Sequence, residues 1–190
     1  MDKSDYKDYY NYLSKRSRLA LYYRRFYLYP FLSRFLSGRV LDIGCGIGDF
    51  LKFYKQSVGV DINPWNIDYC KKRGLSTYLV KDGRYPFENG SFDGAIFDNV
   101  LEHLNDPLST LTEIHRVLIP YGTMIVGVPG KKGYESDPDH KRFYDESSLK
   151  DFIIRFGFTW MQTLHMPFRF PGFNRFLSQY CIYGIFRYSV

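Results

Sequence analysis

A run with three glycines at alternate positions, residues 42–48, constrains the fold of this chain more than any other feature. The apolar segment Val40 to Ile43 before it is typical of a buried strand, and residues 49–54 suit the first turns of a helix. Glycine lets the chain turn sharply and lets a ligand approach bare backbone, while the start of a helix offers free N–H groups. The pattern predicts a strand–turn–helix unit that binds a ligand; a tight turn without a ligand is the alternative.

Acidic residues around this turn indicate the kind of ligand. A dinucleotide-binding turn, G-x-G-x-x-G, needs glycine at position 49, where this chain has Asp49, and a carboxylate facing a pyrophosphate is unfavourable. Asp61 ends a second predicted strand and can accept hydrogen bonds from both hydroxyls of a ribose. Capping of the following helix is the alternative role for Asp61. The two features favour an adenosine-type ligand without phosphates, and S-adenosylmethionine fits this description.

Six segments in a fixed order carry a family resemblance. The chain resembles class I S-adenosylmethionine-dependent methyltransferases of the compact type grouped with ubiquinone and menaquinone methyltransferases. The segments are residues 40–48, 60–62, 82–87, 91–93, 99–103 and 113–118. The resemblance implies S-adenosylmethionine as the cofactor and direct transfer of its methyl group to an acceptor.

Predicted strands and helices alternate along the chain, as in a parallel sheet with helices on both faces. With the resemblance, this predicts an α/β fold: a Rossmann-like, doubly wound sheet of about seven strands, mostly parallel, with an antiparallel last strand. Residues 1–37 are predicted to form an N-terminal helical cover, and residues 38–190 the methyltransferase domain, in a single globular unit. The predicted strands are residues 40–43, 57–63, 77–81, 92–97, 123–128, 158–165 and 180–188.

The resemblance places the cofactor-binding residues at the carboxyl ends of the strands. Asp82 and Gly83 would hold the adenine amino group, although a surface turn explains the same pair. Asp98 and Asn99 would lie beside the methionine part, and His103 would shape the pocket, act near the substrate or pack in the core. The predicted cofactor-binding residues are Asp42, Gly44, Cys45, Gly46, Gly48, Asp61, Ile62, Asp82, Gly83, Asp98, Asn99 and His103.

A polar stretch from Asp139 to Tyr144 is the predicted acceptor site, because a His-x-Arg-Phe/Tyr stretch borders that site in similar enzymes. His140 is the leading candidate for a general base, since a neutral imidazole can take a proton near pH 7, and His103 is the second catalytic candidate. A connecting loop without a chemical role is the alternative. The predicted substrate-binding residues are Arg142, Tyr144, Tyr9 and Tyr10.

No metal is predicted. Some relatives bind a divalent metal through a Glu-x-x-Glu-His pattern, but Asn99 occupies the first glutamate position here and leaves Glu102 and His103 one charged ligand short. The three cysteines stand far apart in the sequence, which argues against a disulfide framework or a zinc site and for a reducing compartment.

Charge is distributed unevenly along the chain. Residues 1–39 carry a net charge of +6, residues 40–140 of −4, and residues 141–190 of +4. Both basic segments are rich in Tyr and Phe, for example at 22–27, 168–170 and 173–176. Packed aromatics with solvated arginines explain this composition. A mouth for an anionic or sugar-phosphate substrate, or contact with an anionic membrane, are the alternatives.

The leading functional prediction is O-methylation of a sugar or glycoconjugate, because residues 81–87 and 140–144 resemble those of methyltransferases in surface-polysaccharide pathways. The alternatives are methylation of a quinone-like or lipid acceptor at a membrane surface, and a non-catalytic S-adenosylmethionine-binding partner domain. Nucleic acid is disfavoured as an acceptor, because no Asn/Asp-Pro-Pro-Tyr-type motif is present. Without an apolar signal region or a segment of membrane-span length, the expected location is cytoplasmic, with peripheral contact at the inner membrane face. The sequence predicts no oligomeric state.

Overall fold

A computed structural model describes residues 3–168, 177 and 180–189 of the protein. The strands are β1 Val40–Ile43, β2 Ser57–Asp61, β3 Thr77–Leu79, β4 Phe92–Asp98, β5 Leu118–Pro129, β6 Phe158–Met166 and β7 Cys181–Tyr188. The helices are α1 Lys3–Ser14, α2 Arg18–Tyr23, α3 Tyr29–Leu32, α4 Asp49–Phe53, α5 Pro64–Lys71, α6 Pro107–Val117, α7 Lys131–Tyr134 and α8 Glu146–Ile154. A π-helical turn, Arg24–Leu28, joins α2 to α3, and 3₁₀ turns occupy Ser33–Phe35 and Leu101–His103.

The seven strands form one sheet in the order β3-β2-β1-β4-β5-β7-β6. β1 to β5 pair in parallel, and β7 lies antiparallel between β5 and β6. This arrangement confirms the predicted fold class and the antiparallel last strand inside the sheet edge. The strand order reverses where β1 lies between β2 and β4, and open α/β sheets bind ligands at the carboxyl ends of the strands at such a point.

Two hydrophobic clusters cover the faces of the sheet, because successive residues of a strand point to opposite sides. In β4, Phe97 packs in the cluster that α6 and α8 cover, whereas its neighbour Ile96 packs in the cluster of α3 and α4. Leu32 of α3 and Phe50 of α4 belong to the second cluster. The sheet is therefore covered on both faces, as parallel sheets require.

The start of α6 has residues typical of a helix N-terminus. The Asp106 side chain accepts a hydrogen bond from the Leu108 amide at 3.0 Å, and Pro107 occupies the first turn. Leu111 and Ile114 are fully buried, but Leu108 is 52 % exposed. The buried stripe of α6 thus begins at Leu111, one turn after the apolar Leu108.

β5 differs from its predicted bounds. The sequence predicts a strand at residues 123–128, but the strand already begins at Leu118, so residues 120–122, which include Pro120 and Gly122, lie inside it and not in an expected turn. Tyr121 has a φ of 64°, and the register between β4 and β5 shifts between Phe92 and Gly94. The residues of the expected turn therefore form an irregularity inside a longer strand, as β-bulges do.

The N-terminal segment is mostly helical from Lys3 to Phe35, and part of it belongs to the core. Leu28, Tyr29 and Leu32 are at most 3 % exposed and pack with the second cluster. Among the described residues, no helix combines the length and the apolar character that crossing a membrane requires. Residues 169, 170 and 173–176 of the basic, aromatic-rich C-terminal segment lie outside the described residues.

We predict that Leu111→Ala lowers the free energy of unfolding by about 2–5 kcal/mol, because it empties a fully buried position. The matched change Leu108→Ala, one turn earlier on the same helix and 52 % exposed, should cost less than about 1 kcal/mol. Urea denaturation of both variants measures the difference. Equal losses would contradict the packing assigned to α6.

Candidate functional site

The glycine turn has a backbone that side chains would obstruct. Gly44, Gly46 and Gly48 have φ values of 66°, 52° and 74°, in the left-handed region that favours glycine. A Cβ atom on Gly44 would lie 2.6 Å from a methyl carbon of Val100. The Cys45 amide between these glycines donates to the Val60 carbonyl at 3.0 Å, which fixes the turn to the end of β2.

Asp61 connects the end of β2 to this turn. Its carboxylate accepts hydrogen bonds from the Gly46 amide at 2.8 Å, the Asn63 amide at 2.7 Å and the Asn66 side chain at 3.2 Å. Burial raises the pKa of the Asp61 carboxyl, although these three bonds lower it. A fourth bond, from the Ile62 backbone, also lowers this pKa. The capping side chain of α5 is Asn63, which accepts from the Trp65 amide, so capping does not account for Asp61.

A second carboxylate lies at the end of β4. Asp98 accepts from the Arg24 guanidinium at 2.6 Å, the Tyr183 hydroxyl at 2.8 Å and the Asn99 amide side chain at 2.8 Å. Burial, and after it the charge of Asp98, raise the pKa of Asp42 in β1 well above its usual range. Three buried acidic side chains, those of residues 42, 61 and 98, therefore lie at the ends of adjacent strands. The positive charge of Arg24 offsets the negative charge of Asp98.

Helix α1 lies over the glycine turn. The Tyr6 carbonyl accepts from the Asn63 side chain at 2.7 Å, and Arg16 pairs with Asp49 at 3.2 Å. Leu13 is only 2 % exposed, and its terminal methyl carbon lies 3.1 Å from where a Cβ of Gly46 would be. The first helix thus contacts the turn through Leu13, and Tyr6 and Arg16 bind the segments that flank the turn.

The two predicted tyrosine contacts of α1 face different neighbours. The Tyr9 ring meets His103 edge-on, with ring centroids 6.4 Å apart, and burial raises the pKa of Tyr9 to about 12. The Tyr10 ring instead lies against Tyr69 of α5, with centroids 5.7 Å apart. Tyr9 therefore lies beside a predicted catalytic histidine, and Tyr10 packs on α5.

The two predicted catalytic histidines meet beside a buried glutamate. The imidazole rings of His103 and His140 have centroids 4.5 Å apart, and Nε2 of His140 lies 3.8 Å from Oε1 of Glu102. The loop that carries His140 is held there because the amides of Lys141 and Arg142 donate to the Glu102 carbonyl at 2.7 and 3.2 Å. This long-range contact makes one cluster of residues that are far apart in the sequence.

Burial controls the charges of this cluster. Glu102 is 1 % exposed, and burial raises the pKa of its carboxyl to about 8. Burial, followed by the proximity of His140, lowers the pKa of His103. Nδ1 of His140 lies 2.7 Å from the Tyr134 carbonyl, so this nitrogen carries the hydrogen of the neutral ring and Nε2 carries the lone pair.

The remaining predicted cofactor residues lie at the surface of the same edge. Ile62, next to Asp61, is 54 % exposed and offers an apolar face. Asp82 and Gly83 have φ values of 55° and 73° in an exposed turn that a bridge between residues 81 and 84 closes. The surface turn that was the alternative for this pair is present, a short distance after β3.

Two predicted substrate residues, Tyr144 and Arg142, lie against Phe152 of α8 instead of the histidine cluster. Tyr144 is 2 % exposed and packs against Phe152 of α8. The guanidinium of Arg142 lies over both of these rings, 5.4 Å from each centroid. Acceptor contacts by Tyr144 would therefore need a movement of the loop, whereas Arg142 is exposed.

The residues present fit S-adenosylmethionine. The turn at Gly44 and Gly46 offers bare backbone, and Asp61 places a carboxylate at the end of β2, where such a group accepts ribose hydroxyls in nucleotide-binding sheets. Ile62 can cover one face of an adenine. The buried carboxylates of Asp42 and Asp98 suit a cationic ligand and oppose a phosphate.

Comparison with known proteins agrees with this fit. Residues 41–126 match the family profile described as a methyltransferase domain. An uncharacterized protein of Methanocaldococcus jannaschii is 32 % identical over 117 residues, which are 59 % of this chain and 57 % of that protein. A ubiquinone/menaquinone biosynthesis C-methyltransferase of a Geobacter species is 32 % identical over 111 residues, 47 % of this chain and 45 % of that enzyme. The chain thus spans about half the length of these relatives.

Solved structures share the fold. A Thermotoga maritima protein, described as an S-adenosylmethionine-dependent methyltransferase and possible histamine N-methyltransferase, superposes with a TM-score of 0.73 at 23 % identity. The superposition covers 93 % of this chain and 97 % of that one. Residues 41–126 thus match a methyltransferase domain, and the chain has the fold of S-adenosylmethionine-dependent methyltransferases, whose cofactor is S-adenosylmethionine.

Sequence reasoning missed several residues of this site. Arg24 comes from a π-helical turn without a local sequence signal, and Leu13 gave no indication that it would contact the glycine turn. Glu102 was considered only as an incomplete metal ligand. Its position next to His103 in the sequence was the available signal, but its contact with the His140 loop was not readable.

Substitution of Gly44 tests the turn. Gly44→Ala should reduce affinity for S-adenosylhomocysteine at least about tenfold, because the added methyl group would meet Val100 and displace the turn. Gly74→Ala is the matched control: its φ is 71°, but nothing lies within 4 Å of the added atom. Isothermal titration calorimetry should show normal affinity for the control. Normal affinity in both variants would refute the assigned cofactor turn.

Proposed function

We propose that this protein transfers a methyl group from S-adenosylmethionine to an oxygen atom of a sugar or glycoconjugate. The observation that supports the proposal best is the pair His103 and His140, which lies beside buried Glu102 and under Tyr9 of the first helix. An acceptor hydroxyl is a weak acid and needs a proton acceptor, whereas an amine does not. A histidine held with its Nε2 lone pair available therefore favours an oxygen acceptor.

His140 is the proposed base. Because its Nδ1 donates to the Tyr134 carbonyl, Nε2 can accept the hydroxyl proton as the acceptor oxygen forms its new bond to carbon. S-adenosylmethionine supplies a methyl group on cationic sulfur, which takes the electron pair of the broken bond and leaves as neutral S-adenosylhomocysteine. Glu102, whose pKa of about 8 leaves it largely neutral near pH 7, lies 3.8 Å from Nε2, so the imidazolium that results would favour its ionisation.

Residues 1–37 are proposed to cover the reaction site. Leu13 and Tyr9 of α1 lie on the glycine turn and on His103, so this helix excludes water from the space between them. Methyl transfer from an activated donor depends mainly on alignment and on the exclusion of water. The proposal gives α1 a role in both.

A second acceptor class, a lipid or quinone at a membrane surface, is favoured by one other observation. Leu19, Tyr22 and Phe26 are 81 %, 59 % and 66 % exposed, and exposed Arg25 lies against the Phe26 ring. Exposed aromatic and basic side chains on one helical segment suit a peripheral contact with anionic lipid. A cytoplasmic protein that docks at the inner membrane face is the corresponding proposal for its location.

Incubation with S-adenosylmethionine labelled in the methyl group tests the acceptor class. Sugar nucleotides, glycans, lipids, quinols, amines and polynucleotides would be compared as acceptors. Transfer to a carbohydrate hydroxyl is the expected result. Transfer to lipid or quinol alone would favour the second class, and cofactor binding without transfer to any acceptor would favour the non-catalytic alternative.

We predict that His140→Ala lowers the rate of methyl transfer by about 10²–10⁴-fold, since general bases contribute this much. Affinity for S-adenosylhomocysteine should be retained, because the cofactor residues are unchanged. His115→Ala is the matched control, because His115 of α6 packs against Phe158 and Tyr188 and does not belong to the histidine cluster. Rates that fall equally in both variants, or in neither, would refute the role of His140.

A further inference from the structure

Glu102 occupies an unusual environment for a carboxylate. Its side chain is 1 % exposed, and neither carboxylate oxygen has a hydrogen-bond partner among the described residues. A buried charge is costly unless it is paired or coordinates a metal. The nearest groups are imidazoles rather than guanidinium or ammonium groups, so the carboxylate lacks the partner that its burial requires.

Two imidazole nitrogens converge on this carboxylate. One candidate ligand atom from each of Glu102, His103 and His140 lies within 4.8 Å of the other two. The other ring nitrogen of His140 is engaged by the Tyr134 carbonyl at 2.7 Å, and His103 has a hydrogen bond with the backbone of Asp139. Histidines that bind metals are commonly oriented in this way by a bond from their second nitrogen.

The cluster differs from the Glu-x-x-Glu-His pattern through which some relatives bind a metal. Asn99, at the position of a missing glutamate, is turned away: its side-chain nitrogen donates to Asp98 and its oxygen accepts from the Cys181 thiol. The third ligand comes instead from His140, in a loop distant along the chain. The sequence expectation of no metal considered only residues 99–103.

We propose that Glu102, His103 and His140 bind a divalent transition-metal ion, with zinc as the preferred ion. Two histidines and one carboxylate form a known class of zinc site that keeps an open coordination position, and imidazole ligands suit zinc. Ligand atoms about 2 Å from zinc in tetrahedral geometry are about 3.3 Å apart, so the 3.8 Å between His140 and Glu102 must shorten slightly. The Asp137 carboxylate, 4.0 Å from Nε2 of His140, adds negative charge beside the ion.

The metal site does not depend on the proposed methyl transfer, but it bears on the same cluster. An ion that takes the Nε2 lone pair of His140 removes this imidazole as a proton acceptor. The open position would then be available to an acceptor hydroxyl beneath Tyr9, so the metal-free and metal-bound proteins would activate an acceptor differently.

Zinc titration of the metal-free, full-length protein tests the inference. Calorimetry should show one ion bound per chain. The affinity should fall at least about 100-fold in Glu102→Gln and in His140→Asn, because each removes one of three ligands. His115→Asn, which alters a histidine outside the cluster, should bind zinc as the wild type does. Circular dichroism would establish that each variant is folded.

Cobalt provides a measurement on the unaltered protein. Bound Co²⁺ should give a visible spectrum typical of nitrogen and oxygen ligands, without a thiolate charge-transfer band. Such a band would indicate that Cys45 and Cys70 bind the ion instead. No stoichiometric binding, a thiolate band, or full affinity in both ligand variants would each overturn the inference. Binding of S-adenosylhomocysteine, measured in parallel, tests the methyltransferase assignment separately.

Discussion

The hydrogen bond from the Gly46 amide to the Asp61 carboxylate, 2.8 Å long, ties the glycine turn to the end of the neighbouring strand. The bond forms only because left-handed glycines let the turn point its amide toward β2, and because parallel pairing places the ends of β1 and β2 side by side. Helix α1 then packs on the turn through Leu13 and Arg16. The cofactor edge and its cover therefore depend on this one contact.

Acidic side chains at the same edge suit a cationic ligand. Asp42 and Asp61 are buried, the side chain of Asp98 is 8 % exposed, and burial raises the pKa of Asp42 and of Asp61. A positively charged ligand would relieve this cost, whereas a phosphate would increase it. Arg24 already neutralises Asp98 from the N-terminal segment. The first helices thus contribute to the electrostatics of the edge as well as to its covering.

Local patterns were readable from the sequence, and distant contacts were not. The strand–turn–helix unit and the antiparallel position of β7 agree with prediction, because glycine spacing is local and the strand order follows from the resemblance. The early start of β5 was missed, since it depends on how neighbouring strands pair. The contact of Lys141 with Glu102, which assembles the histidine cluster, joins loops that have no sequence signal for each other.

The binding preference of the glycine turn is the most direct test of its chemistry. Calorimetric titration of the purified chain with S-adenosylmethionine or S-adenosylhomocysteine should give one binding event per chain, and NAD or ATP should give none. Tight binding of NAD or ATP, with no heat from either sulfur nucleoside, would contradict a cation-selective edge built from Asp42, Asp61 and bare glycine backbone.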